Sequence, residues 1–353
     1  MSQGHRLGKL GPGFFRNIIF PRLGALRPKV IVGPRQGGDC SVIQLNEGRV
    51  LVTTTDPLSY IPSIGAADSA FISVHLLASD LTTSGFSPQY GIFDFDLPVG
   101  LSDYQFAKYW MAFHSECKKL GIAIIGGHTG RYLGQGNTII GGGALLAIGP
   151  KNGYLTSSMA RDNDDLILTK GAAIETTAVL TRSFPRKVRR SLGPEAFDQA
   201  WDYLRMVTTV RDALTAASVG IKNGGVTAMH DATEGGVLSA ASEMAGSSRL
   251  GLTVELQSIE ASDETRAVCK LFKLNPLYSL SEGSLLIASR PFATDRVIRR
   301  LSQEHIAARV IGQFSSRFGG VRSVTNRGTI RLAHLSQDRY WAAYLSATRK
   351  GWS

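Results

Sequence analysis

The chain has few cysteines, no long apolar run and, over its first 38 residues, no acid at all. Its three cysteines, Cys40, Cys117 and Cys269, are far apart and form no CxxC pair. That argues against a cysteine zinc site and points to a reducing cytoplasm. No apolar stretch approaches the ~20 residues of a membrane span, so no membrane partner is expected. The early stretch "GFFRNIIFPRLGAL" is broken by Arg16, Pro21 and Arg22, and lacks the continuous apolar core of a signal peptide. Reactive signatures are missing too: there is no GxSxG, no HExxH, no GxxxxGK[ST] and no GxGxxG spacing. A serine hydrolase, a P-loop kinase and a Rossmann dehydrogenase are therefore poor readings.

The net charge is +11. Such a balance permits binding of nucleic acid or of a phosphate ligand. The second basic block, "RSFPRKVRRSLG" (182–193), has no interleaved aromatic except Phe184, and no nucleic-acid module signature is present. A solvated basic surface is the plainer reading, and nucleic acid is not an expected partner.

What the chain does have is alternation. Residues 1–29 read as a basic arm, 30–158 as an α/β domain, 159–335 as a second domain and 336–353 as a basic tail. In the first domain "VIV" (30–32), "SVIQL" (41–45), "RVLVTTTD" (49–56), "YGIFDFDL" (90–97), "IAIIGG" (122–127) and "TIIGGGALLAIG" (138–149) have strand character. A helix is expected over 66–84, with Ala67, Ala70, Phe71, Val74, Leu77, Ala78 and Leu81 on one stripe. A second begins after the cap Ser102 and ends at Gly121. The second α/β unit starts at "DLILTKG" (165–171) and continues through a helix near 205–219, "VTAMHDATEGGVLSAASEMA" (226–245) with a helical pattern after Gly235–Gly236, "GLTVEL" (251–256), a helix near 262–273, "GSLLIAS" (283–289), a helix near 293–304 and "ARVIGQF" (308–314). The chain after Arg322 looks less regular.

Three acids occupy positions that packing does not explain. Asp56 precedes Pro57 at the expected carboxyl end of a strand, where ligands gather in open sheets. Asp39 follows Gly37 and Gly38, whose small size allows close approach to an anion. Asp80 falls in the last turns of a helix, where the macrodipole disfavours an acid unless a cation compensates. Hard oxygen ligands on three separate turns suit Mg²⁺ bridging nucleotide phosphates, although each alone also fits a surface aspartate. In "MHDATEGG" (229–236), Asp231 and Glu234 precede a helix start that offers free N–H groups to an anion, or serve only to cap it. In "IAIIGGHT" the residue His128 follows two glycines on an expected turn, as a metal ligand, a phosphate contact or a structural histidine. Glu282 in "NPLYSLSEG" reads as a turn residue.

The ordered series "GKL" (8–10), "GGDCSV" (37–42), "TTTDP" (53–57), "SDLTTSGFSP" (79–88), "GGHT" (126–129), "HDATEGG" (230–236) and "NPLYSLSEG" (275–283) resembles the aminoimidazole-ribonucleotide-synthetase-like superfamily. "TTTDP", "MHDATEGG" and "NPLYSLSEG" look most like its hydrogenase-maturation carbamoyl dehydratase branch. The resemblance implies an α/β plus α+β fold of two domains, with N-terminal strands forming a barrel across a homodimer interface. It also implies ATP and Mg²⁺ as cofactors and a small-molecule substrate whose carbonyl or amide oxygen is phosphorylated. Carried over residue by residue, Asp39, Asp56 and Asp80 look like the metal carboxylates. Lys9, Gly37, Gly38, Thr54, Gly126, Gly127 and Thr129 look like nucleotide contacts, and Asp231, Glu234 and His128 like catalytic groups. Two departures stand out. The dehydratase acts on a cysteine at its own C-terminus, whereas this sequence has none after Cys269. His128 also stands where well-known members keep an acid, and imidazole is a poor Mg²⁺ ligand. The alternatives are therefore a small-metabolite kinase of the thiamine-monophosphate-kinase type and a nucleotide-binding paralogue without catalysis.

Overall fold

The computed structural model describes residues 7–134, 138–325, 328–332 and 338–353. The first six residues of the expected arm, and residues 333–337 where the second domain is expected to pass into the tail, lie outside these.

The arm holds a short helical turn, α1 (Pro12–Phe14), continued by a π-helical turn over Phe15–Ile19. Six strands follow: β1 (Val30–Val32), β2 (Ser41–Gln44), β3 (Arg49–Ser59), β4 (Tyr90–Pro98), β5 (Ala123–Tyr132) and β6 (Ile139–Pro150). They form one sheet in the order β1-β2-β3-β6-β4-β5, antiparallel except for the parallel β4–β5 pair. Alternation in β3 sends Val50, Val52 and Thr54 inward, opposite the inward Leu145 and Ala147 of β6. Helices α2 (Ala66–Thr82) and α3 (Asp103–Lys119) cover that face. Ser102 caps α3 with a full capping box to Gln105, as its sequence predicts. Helix α2 is buried on nearly every side because it also meets the second half of the chain. There Ser79 Oγ accepts from the Thr209 N–H at 2.9 Å, and His75 Nδ1 lies 2.8 Å from Thr208 Oγ1.

The second sheet joins β7 (Asp165–Thr169), β8 (Val226–Asp231), β9 (Gly251–Val254), β10 (Leu285–Ser289), β11 (Ala308–Ser315), β12 (Gly320–Thr325) and β13 (Gly328–Leu332). Their order is β13-β12-β9-β11-β7-β10-β8, with only β12–β9 parallel. Helix α8 (Gly236–Ser247) packs on one face, and α7 (Val210–Ser218) with α10 (Pro291–Gln303) on the other. A separate apolar layer gathers α4 (Ile174–Ser183), α5 (Pro185–Leu192), α6 (Pro194–Asp202), α9 (Asp263–Leu271) and α11 (Tyr340–Arg349).

Four expectations change. Both sheets are mixed and mainly antiparallel, so the open-sheet rule that puts ligands at strand carboxyl ends does not account for Asp56. Strand β3 runs through Pro57 to Ser59, with a register shift there, and Asp56 sits within it. "GGHT" is not a turn but the middle of the edge strand β5. Its Gly127 has φ +151°, and a Cβ there would stand 1.9 Å from the Phe93 carbonyl oxygen, so the glycine serves close strand approach. The region after Arg322 is ordered into β12, β13 and α11.

Candidate functional site

One cavity of about 630 Å³ opens between the arm, the first sheet and the "HDATEGG" segment. Its wall carries Lys9, Asp39, Asp56, Asp80, Asp231 and Glu234, together with Gly37, Gly38 and Thr54. His230, Glu243 and Asp338 join them. Asp39 arrives on the β1–β2 connection, Asp56 and Thr54 on β3, and Asp80 near the end of α2. Asp231 ends β8, Glu234 lies in the turn that follows, and Glu243 projects from α8. Gly37, at φ +68°, lies against α8, where a Cβ would be 2.7 Å from Glu243 Cβ. Its smallness therefore serves the packing of the two halves as well as the cavity.

Local bonds fix the side chains. Thr54 Oγ1 donates to Asp80 Oδ2 at 2.9 Å. The Lys9 backbone N–H donates to Glu234 Oε2 at 2.7 Å, and its ammonium to Thr233 Oγ1 at 2.9 Å. Trp341 of α11 donates its indole N–H to Glu234 Oε1 at 3.1 Å, and Asp338 Oδ2 accepts from the Gly235 N–H at 2.9 Å. His230 is held from both sides, with Nδ1 2.7 Å from Asp39 Oδ1 and Nε2 3.2 Å from Glu243 Oε2.

Electrostatically, the cavity holds more negative charge than its own cations offset. Burial, relieved in part by Lys9 and reinforced by Asp231 and Glu234, raises Asp56 to about 7. Burial and Asp39 raise Asp231 to about 6, and burial with Asp231, Asp56 and Asp39 pushes Asp80 well up. Behind them, burial raises Glu175 to about 8 and pushes Glu282 well up. For Lys9, burial alone would lower the ammonium, but Glu243, Asp80, Asp56 and Asp231 outweigh it and raise it. Among the described residues Asp39 Oδ2 is buried without a hydrogen-bond partner, while Glu282 bonds to Asp231 and to Ser79. With Asp56 and Asp80 on the same wall, an orphaned carboxylate oxygen in a negative cavity is a donor for a hard divalent cation, so the residues fit Mg²⁺.

The other expected group lies elsewhere in the chain. Gly126, Gly127, His128 and Thr129 line a separate cleft of about 230 Å³ with Phe93, Phe95, Trp110 and Ile124. His128 is exposed there, with Nε2 2.8 Å from Tyr132 Oη. The physical reason is the edge position of β5, which β6 and β4 separate from β3. Sequence reasoning missed His230, Glu243, Asp338 and Glu175, and took Glu282 for a turn. Two signals were available: His230 adjoins Asp231, and Glu243 is the only charged residue of α8.

Comparison with known proteins accords with this architecture. The AIR synthase related protein family matches through its N-terminal domain over residues 37–148 and its C-terminal domain over 161–324. The chain is 24% identical over 304 residues to "Carbamoyl dehydratase HypE" of Cupriavidus necator, covering 82% of this chain and 83% of that one. It superposes on the hydrogenase maturation protein HypE in complex with ATP at TM-score 0.65 and 21% identity, covering 94% of each chain. It superposes on AaThiL complexed with AMPPCP and TMP at TM-score 0.66 and 17% identity, covering 91% and 96%. At these identities the structural likeness establishes the fold alone. With two matched domains, two mixed sheets and a shared topology, the chain belongs to the AIR synthase related protein family.

Proposed function

We propose that this chain is an ATP- and Mg²⁺-dependent enzyme that phosphorylates a carbonyl- or amide-type oxygen of a small substrate and so makes it a leaving group. The observation that carries this reading is the convergence of Asp39, Asp56, Asp80, Asp231 and Glu234 with Lys9 in one cavity. Asp39, Asp56 and Asp80 would hold Mg²⁺, which neutralises phosphate oxygens when bound. Gly37, Gly38 and Thr54 line the path of the phosphates. Lys9, kept cationic by the surrounding carboxylates, offers them a positive charge from the arm. Asp231, at about 6, is largely ionised at neutral pH and suited to take a proton from the substrate, and Glu234 faces the same space. Phosphoryl transfer needs positioning and charge neutralisation more than a protein nucleophile, in keeping with the missing nucleophile motifs. The first half, residues 30–158, would carry the nucleotide and residues 159–335 the substrate side. The relative named a carbamoyl dehydratase and the ATP complex of HypE support this reading.

The other face of the first sheet supports a homodimer. In register across β3, β6 and β4 lie Leu51–Ile148, Thr53–Leu146–Tyr90 and Ala144–Ile92, none of them buried. An apolar sheet face of this kind suits a second copy of the chain, and closing two such sheets together would give the barrel of the resemblance. Such a partner would offer its β5 segment with His128 a route to a nucleotide bound in the cavity of this chain.

Product analysis tests the function. Incubation with Mg·ATP and metabolite mixtures should release ADP and free phosphate. A stable phosphorylated product would instead make the chain a metabolite kinase, and nucleotide binding without turnover would make it a non-catalytic paralogue.

A further inference from the structure

An imidazole is a poor ligand for Mg²⁺, yet His230 stands in the cavity held at both ring nitrogens. It is 4% exposed on β8, with Asp39 on one ring nitrogen and Glu243 on the other. One ligand atom each from Asp39, His230 and Asp231 lies within 4.8 Å of the other two. Atoms bound to a common ion at ~2.0–2.2 Å stand roughly 3–4.4 Å apart, so the three groups can reach one ion by side-chain adjustment alone. Asp39 Oδ2 is buried there without a hydrogen-bond partner among the described residues.

We propose that Asp39, His230 and Asp231 form a site for a borderline divalent transition ion of the Mn²⁺, Co²⁺ and Zn²⁺ series, with Glu243 orienting the imidazole. Mg²⁺ demands oxygen, whereas these ions accept an imidazole nitrogen together with carboxylates. A metal-bound histidine almost always gives its other ring N–H to a carboxylate, and the Nε2–Glu243 contact at 3.2 Å is that arrangement. The ion would take the place of the proton between Nδ1 and Asp39. The Nδ1 lone pair then forms the bond to the metal, the ring keeps its Nε2 proton, and a proton bound at Nδ1 goes to solvent. Two carboxylates balance the two charges of the ion, as a buried site requires. Asp39 belongs to the first half of the chain and His230 and Asp231 to the second, so the ion also ties the halves together. The inference rests on reading the cavity as a metal–phosphate site, and adds a nitrogen-containing position beside Asp56 and Asp80.

Mn²⁺ bound to the metal-stripped full chain in excess Mg²⁺ tests it, read by electron spin-echo envelope modulation. The wild type should show ¹⁴N coupling from one imidazole. His230→Gln should lose that coupling and bind Mn²⁺ more weakly by at least the ~10–100-fold that loss of an outer partner such as Glu243 would cost, with little change for Mg²⁺. Bound Mn²⁺ without ¹⁴N coupling, or Mn²⁺ displaced by an equal concentration of Mg²⁺, overturns the proposal. The wild-type spectrum decides even if His230→Gln fails to fold. ATP affinity measured on the same preparations separates the two readings. Nitrogen-coupled Mn²⁺ without ATP binding removes the nucleotide reading and leaves the metal site, and ATP binding without nitrogen coupling does the reverse.

Discussion

Asp56 shows how the cavity trades stability for binding. Burial, with Asp231 and Glu234 adding to it, holds its carboxyl near 7, so without a cation folding disfavours its ionised form. Asp56→Asn should therefore raise the melting temperature of the metal-free protein by a few degrees, on the order of 1 kcal/mol, while weakening the stabilisation given by Mg·ATP. Calorimetry with and without Mg·ATP checks both signs, and a lower metal-free melting temperature would count against this view of Asp56. The same groups set a pH dependence. Asp56, Asp231 and Glu175 are raised above their ordinary values to about 7, 6 and 8. Their stabilising contribution is full below about pH 4 and is lost as pH rises through about 6 to 8. The metal-free melting temperature should thus fall between about pH 5 and 8, and saturating Mg²⁺ should flatten the fall. At this scale the sequence singled out Asp39 beside its glycines, Asp56 at the end of a β-branched run, Asp80 against a helix macrodipole and Asp231 before a helix start as candidates, and these four line one cavity. It hid the grip of Asp39 and Glu243 on His230, which depends on contacts 191 and 13 residues apart.

Among the elements, β5 holds the clearest contrast. Gly126 and Gly127 are neighbours, yet a Cβ at Gly126 meets nothing within 4 Å, whereas one at Gly127 strikes the Phe93 backbone. Gly127→Ala should cost about 2 kcal/mol or more and Gly126→Ala well under 1 kcal/mol, measured by urea denaturation. Equal costs would contradict the close β4–β5 approach. Helices α2 and α3 were legible because long apolar stripes and the Ser102 cap agree. Helices α4, α5 and α6 were not. In α5 one buried residue, Val188, is masked by four basic neighbours. Pro185 and Pro194 at helix starts were the overlooked signals. "GGHT" was misread because paired glycines mark tight strand contact as well as turns.

For the whole molecule, the uncovered sheet face is the main feature. Tyr90, Ile92 and Ile125 are exposed on the first sheet. Light scattering should show a dimer in solution, and Ile92→Lys should shift it to monomer without loss of helix content. A monomeric wild type would remove the homodimer from the account. Two halves were visible in the sequence as two series of alternating strands and helices. Their meeting at one cavity was not, because it depends on α2 spanning both and on an arm whose Lys9 reaches Thr233. Among the described residues no helix is long and apolar enough to cross a membrane.

The claim beneath all of this is that the cavity binds ATP through a divalent cation held by its carboxylates. Isothermal titration of ATP into the full chain, once in Mg²⁺ and once in EDTA, tests it most directly. Saturable binding in Mg²⁺ that disappears in EDTA is expected. Equal affinity in the two buffers, or no binding in either, would contradict it.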